Sequence, residues 1–169
     1  GAAERLLELM TIDSEVVDKG REQPGHQQPI KFDKVSFTYP TRPDTPALNA
    51  LNLTVEPGKS LALVGPSGAG KSTVFELIQR FRDPQQGTIR YGSVALTDMP
   101  LSVWRDRTAL VPQSPVLFSA DVRFNIAYGN PDASDRDIEA AARAAPADGL
   151  IRSPPQRHGT PLVVGTGDA

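Results

Sequence analysis

Apolar residues recur along this 169-residue chain in three rhythms, and each rhythm predicts a different kind of element. Over residues 2–17, good helix formers place Leu6, Leu9, Met10 and Val17 on one face of a helix. Alternation takes over at Ile30 and Phe32, and then again at Val35, Phe37 and Tyr39 in a register shifted by one. Such a slip turns side chains to the opposite face of a strand, so a bulge is expected near Asp33 and Lys34. Leu51, Leu53 and Val55 alternate once more, and the two patterns together predict antiparallel β-structure. The third rhythm is continuous: Ser60–Val64 has the character of a strand buried on both faces. Helical spacing returns at Val74, Leu77, Ile78 and Phe81 after Lys71, and Asp83-Pro84 stops it. Further strands are expected over Gly87–Leu96 and Thr108–Pro112, with a short helix over Leu101–Arg107 between them. Ser134 and Asp137 form a capping-box-like start for a helix through Ala145, ended by Pro146.

Turn-forming residues divide these elements. The polar stretch Asp18–Pro29 has two Pro and two Gly and is expected to be a linker, and three Pro in the seven residues from Pro40 to Pro46 demand a loop. The tail from Ser153 onward has weak order signals. There are 18 Lys and Arg against 20 Asp and Glu, a net charge of -2, which argues against a nucleic-acid partner. With no Cys, thiol catalysis and cysteine metal sites are excluded. The only two histidines, His26 and His158, leave little for a histidine metal site, and His158 is a poor catalytic candidate. Asp106, Asp121, Asp132, Asp135 and Asp137 show no paired spacing and are expected to be caps and solvated loop residues. No apolar run approaches the about 18–20 residues that span a bilayer. The chain opens on Gly, and the expectation is a piece of something longer.

The candidate chemistry lies in Gly65-Pro66-Ser67-Gly68-Ala69-Gly70-Lys71-Ser72-Thr73, which fits G-x-x-x-x-G-K-[ST]. Gly68 and Gly70 let the backbone curl so that successive N–H groups point at phosphate oxygens. The following helix turns its positive dipole end to the same anion. Lys71 adds a mobile charge for the β- and γ-phosphates, and the Ser72 hydroxyl is a ligand for Mg²⁺. The competing reading, a glycine-rich strand-to-helix turn with a surface lysine, fits less well because an apolar run precedes the motif and an amphipathic helix follows it.

Three stretches extend the pattern: VSFTYP at 35–40, LNLTVEPGKSLALVGPSGAGKST at 51–73 and LVPQSPVLFSADVRFNIAYG at 110–129. With them the chain resembles the nucleotide-binding domain of an ATP-binding cassette (ABC) transporter of the exporter type, over nearly all its length. The opening GAAERLLELM resembles the segment that joins the last transmembrane helix to the cassette. The resemblance implies an α/β fold: a P-loop NTPase core, incomplete, with an antiparallel β-subdomain and the start of a helical subdomain. It divides the chain into a linker at 1–29 and the first part of the cassette at 30–169. Tyr39 then stands where the family stacks an aromatic ring on adenine, an interaction that tolerates different bases. Gln113 stands where the family reaches Mg²⁺ and the attacking water. The ATP- and Mg²⁺-binding set is therefore Tyr39, Gly65, Ser67, Gly68, Ala69, Gly70, Lys71, Ser72, Thr73 and Gln113. Lys71 and Gln113 carry catalytic roles, and Ser72 and Gln113 touch the metal. Val116, Leu117, Phe118, Phe124 and Ile126 are either core or the groove that exporters offer to the membrane domain.

The implied partners are a transmembrane domain of the same transporter, a second nucleotide-binding domain and ATP. The implied place is the cytoplasmic face of a membrane, with a bacterial inner membrane as the expectation. Neither an LSGGQ-like signature nor an apolar run ending in Asp-Glu occurs in the 169 residues; Val94-Ala95-Leu96-Thr97-Asp98 is the nearest to the latter. Phosphoryl transfer rests on positioning and electrostatics that those parts supply. The chain alone is thus expected to bind ATP–Mg²⁺ weakly and to hydrolyse it negligibly. The resemblance also places the missing strand between Ser60–Val64 and Thr108–Pro112, so both are expected to leave apolar surface and unpaired edges. A non-catalytic nucleotide-binding or interaction module is the alternative. Another P-loop enzyme, a kinase or GTPase, is disfavoured by the lack of N-K-x-D and by the position of Tyr39.

Overall fold

The first strand is bent by its own sequence. In β1 (Ile30–Phe37) the buried residues are Phe32, Val35 and Phe37, so the inward period of two is broken at Asp33-Lys34. Lys34 has φ +49°, and the pairing of β1 with β2 (Leu48–Val55) slips between Phe32 and Val35. The expected bulge is there. Side chains satisfy the backbone donors that the irregularity frees: Lys34 N–H donates to Asn52 Oδ1 at 3.0 Å and Ala50 N–H to Ser36 Oγ at 2.9 Å.

The structure, a computed structural model, describes residues 16–145. It forms two compact units, one ending at Leu110 and the other beginning at Val111. In the first, β1 pairs antiparallel with β2 on one side and with β3 (Gln86–Tyr91) on the other, and β3 pairs with β4 (Val94–Ala95). The sheet order is β2-β1-β3-β4. The single strand expected over Gly87–Leu96 is instead a hairpin, because Gly92 takes φ +63° and turns the chain back after Tyr91. Gly87, φ +78°, lies against the carbonyl oxygens of Asp33 and Lys34, where a Cβ has no room. The bulge and this glycine therefore fit as a pair.

One face of the sheet is covered by α1 (Lys71–Ile78), a 3₁₀ turn (Leu96–Asp98) and α2 (Leu101–Arg105). The core joins Phe32, Val35, Phe37 and Ile89 of the sheet to Val74, Leu77, Leu96, Met99 and Trp104. Leu77 is fully buried, which contributes about 1.5–3 kcal/mol for such a side chain. Trp104 buries its indole and donates Nε1–H to Ile78 O at 2.6 Å.

Helix α1 is shorter than its apolar spacing suggests. After Gln79, Arg80 turns into the left-handed region at φ +53°, with Arg80 N–H to Leu77 O and Phe81 N–H to Glu76 O closing the end. This is the six-to-one, five-to-two closure that glycine usually completes. Phe81 is thereby rotated off the buried face and is 53% exposed. Arg80 occupies the costly conformation with its guanidinium, 1% exposed, held by four acceptors. It donates to Leu96 O, Met99 O and Val17 O and pairs with Asp83 Oδ1 at 3.1 Å.

The stretch Asp18–Pro29 has no regular structure, yet it is tied down. Arg21 and Glu22 N–H both donate to Asp98 O, and Asp18 Oδ1 accepts from Leu101 N–H at 3.1 Å. Most of the helix expected over 2–17 lies outside the described residues, and Val16 and Val17 at its end are not helical.

Two expected strands are corrected. Neither Ser60–Val64 nor Thr108–Pro112 is a strand, and Val64 and Val111 are 89% and 92% exposed. A strand exists only as half of a pair, and no described residue pairs with either segment.

The second unit carries α3 (Val122–Ala127) and α4 (Asp135–Ala144). Asp121 Oδ1 caps α3 by accepting from Phe124 N–H at 2.7 Å, and Ser134 with Asp137 forms the full capping box of α4. Phe118, Phe124 and Tyr128 pack ring on ring, with Phe118 and Tyr128 stacked at 4.3 Å. These rings are exposed, as are Val116 and Leu117, so they are not a core. The tail, with His158, lies outside the described residues.

Candidate functional site

The glycine motif, residues 65–73, follows a segment without regular structure and runs into the first turn of α1. Gly70 is the N-cap of α1 at φ +83°, and no side chain caps this helix end. A Cβ there would come within 2.5 Å of Ala47 O, so the loop is pressed against the start of β2. Lys71 reaches back over the loop, donating from Nζ to Gly65 O at 2.8 Å and Pro66 O at 2.6 Å. Its charge thus stands over the curled main chain, where solvent still reaches it.

A cavity of about 350 Å³ opens beside this loop. Ser67, Gly68, Gly70, Lys71, Ser72 and Thr73 line one part of it, and Tyr39, Arg42, Thr45, Pro46 and Ala47 line the rest. The lining holds two cations, several hydroxyls and no carboxylate. Together with an uncapped helix N-terminus, that donor set suits a polyanion. The aromatic ring suits a flat group attached to it.

Tyr39 and the loop are physically joined. The Tyr39 hydroxyl lies 3.1 Å from Thr73 Oγ1, and Thr73 is 4% exposed. Thr73 therefore faces Tyr39, while Ser72, next to it in α1, is exposed. Gly65 and Ala69 shape the loop without lining the cavity: Gly65 supplies a carbonyl to Lys71, and Ala69 N–H closes a turn on Pro66 O. Gln113 belongs to the second unit, where it is exposed in a segment without regular structure.

Sequence reasoning missed the loop after Tyr39. Arg42, Thr45, Pro46 and Ala47 reach the cavity because Arg42 N–H bonds to Tyr39 O and Thr45 N–H to Arg42 O, which folds the proline-rich loop onto the site. The signal was present in its three prolines, which announced a loop but not its direction.

Comparison with known proteins gives the same reading. Residues 48–166 match the family model for the ABC transporter. The chain belongs to the ABC transporter family. It is 39% identical over 156 residues to the ATP-dependent permease MDL1 of Candida albicans, covering 92% of this chain and 23% of that protein. It is 40% identical over 168 residues to the ATP-dependent lipid A-core flippase of Chromobacterium violaceum, covering 99% of this chain and 28% of the flippase. Its fold is similar to that of a bacterial Atm1-family ABC exporter solved with ATP bound, with a TM-score of 0.82, 35% identity and 94% of this chain covered. The chain is thus part of the nucleotide-binding domain of an exporter-type ABC transporter, and spans about a quarter of these relatives' length. The P-loop NTPase fold with its antiparallel β-subdomain follows from the same likeness. No helix among the described residues is long and apolar enough to cross a membrane. Nor do the described residues hold a group of three His, Cys, Asp or Glu fit for a metal ion.

Proposed function

We propose that this chain binds the ATP–Mg²⁺ that powers export by an ABC transporter, with residues 1–29 as the link from a transmembrane domain and 30–169 as the first part of the cassette. The observation that carries the reading is the hydrogen bond between Tyr39 and Thr73, which joins an aromatic platform to a cradle of donors. Gly68, Gly70 and their neighbours offer backbone N–H groups to the phosphates. Lys71 exchanges its carbonyl partners for phosphate oxygens, and Tyr39 stacks on the base. The Ser72 hydroxyl would hold Mg²⁺, with Gln113 as a second ligand on the family resemblance alone, and the ion would supply charge neutralisation at the phosphates. Gln113 also orients the attacking water.

Turnover needs groups that the 169 residues do not contain, a signature sequence and an acidic strand end. They are supplied by further chain and by a second nucleotide-binding domain. The exposed cluster of Phe118, Phe124 and Tyr128 is the surface for the membrane domain. The working place is the cytoplasmic face of a membrane, a bacterial inner membrane being the proposed one.

Calorimetric titration of ATP–Mg²⁺ into this chain tests the reading. Binding that disappears in Lys71→Ala, with no steady hydrolysis above that variant, supports it. Absence of binding in a folded sample sinks it, and binding of unrelated partners without nucleotide would favour an interaction module.

A further inference from the structure

Arg82 lies outside the motif, outside the cavity lining and past the end of α1, yet its guanidinium carbon sits 5.3 Å from the centre of the Tyr39 ring. It is held there by Glu76, whose Oε2 is 3.3 Å from Arg82 Nε. The ring has two further holders. Its hydroxyl is bonded to Thr73 Oγ1 at 3.1 Å, and Phe37 meets it at right angles with centroids 5.0 Å apart. Thr73 and Glu76 both belong to α1, the helix that begins at Gly70. The ring's polar holders are therefore carried by the element that carries the phosphate cradle.

From this we infer that Arg82 is a positioning residue for the nucleotide base, acting through Tyr39. The inference rests on the reading of Tyr39 as the base platform. Tyr39 lines the cavity and Arg82, over its ring, does not; on this proposal the base takes the ring face that the cation leaves to it. A cation on one face draws π-density toward itself, and the opposite face becomes better suited to an electron-rich purine. The same contact stops the ring from swinging about its side-chain bonds. Because α1 fixes both ring and loop, the distance between base and triphosphate is set before the ligand arrives. Nothing in this contact reads the base edge, so it favours purines as a class.

The test compares ATP with inorganic tripolyphosphate, which has no base, by calorimetric titration of the 169-residue chain and its variants. Arg82→Ala is expected to weaken ATP about two- to fivefold and to leave tripolyphosphate unchanged. Arg82→Lys should recover part of the loss, and Glu76→Gln should reproduce part of it. Unchanged tripolyphosphate binding also reports that the fold is intact. Equal loss for both ligands would mean a merely structural role, and unchanged or tighter ATP binding would mean that the cation does not serve the base. Either result overturns the inference. Tyr39→Ala is the separate control: if it spares ATP, the base platform itself is wrong, whereas a loss of about tenfold in Tyr39→Ala beside a silent Arg82→Ala condemns Arg82 alone.

Discussion

The Tyr39 hydroxyl and the Thr73 hydroxyl lie 3.1 Å apart, across 34 positions of sequence, and so fasten the end of the first long strand segment to the helix that follows the glycine loop. Thr73→Val keeps the shape and removes the bond. It is expected to cost about 0.5–1.5 kcal/mol of stability, measured by urea denaturation, because the Tyr39 hydroxyl retains access to water. ATP affinity should fall with it while the loop stays formed. An unchanged melt together with unchanged affinity would show that the bond holds nothing in place.

Lys71 donates to two carbonyls of its own loop, at 2.8 Å and 2.6 Å. Lys71→Ala is expected to remove about 1.5–3 kcal/mol of ATP binding, the range of a charged hydrogen bond. Stability should move little, since the ammonium is in a solvent-accessible cavity. Titration and a thermal melt of the same sample separate the two effects.

Arg80 is the most heavily used buried side chain. Arg80→Met would leave Met99 O, Val17 O and the Asp83 carboxylate without the guanidinium donor, and Leu96 O with only Met99 N–H. Breaking such a buried arrangement from one side costs about 3–5 kcal/mol, enough to unfold a marginal domain. Asp83→Asn should cost clearly less, because the guanidinium keeps its carbonyl partners. Chemical denaturation that ranks the two variants the other way round would refute this account.

Gly87→Ala places a methyl group against the carbonyl oxygens of Asp33 and Lys34 at a positive φ. The expected loss is about 1–3 kcal/mol, from strain at the bulge. Gly58, at φ +71° with open space around it, is the comparison: Gly58→Ala should be milder because only the backbone term applies. Equal costs at both sites would remove the bulge from the explanation.

Val111 is 92% exposed and Val116 84%. Lysine at either position is expected to change stability by no more than about 0.5 kcal/mol and to reduce binding of a hydrophobic dye and aggregation. Light scattering during storage at matched concentration is the direct measurement, and unchanged scattering would exonerate these residues.

What the sequence made legible was local. Ser134 and Asp137 are three residues apart and form their capping box wherever the helix lies. The slip of the apolar pattern at Asp33-Lys34 marks a bulge because strand faces alternate strictly. The phosphate loop is carried by residues adjacent in sequence. What failed to show was anything that needed a distant partner. Ser60–Val64 has the composition of a buried strand, but hydrogen bonds to a neighbour make a strand, and composition cannot supply the neighbour. Arg82 reads as one more charged residue after a helix until the fold brings Tyr39 beneath it. The grip of the segment Asp18–Pro29 on Asp98 was hidden for the same reason, because it is made by backbone groups that every sequence has.

The four-way grip of Arg80 has a mechanical meaning. One arm holds Val17 O, ahead of the sheet in the chain, while the residue itself terminates the helix that rises from the phosphate loop. A pull on the leading strap therefore loads the far end of that helix without crossing a single β-strand, and slack in the strap would be felt first at a guanidinium.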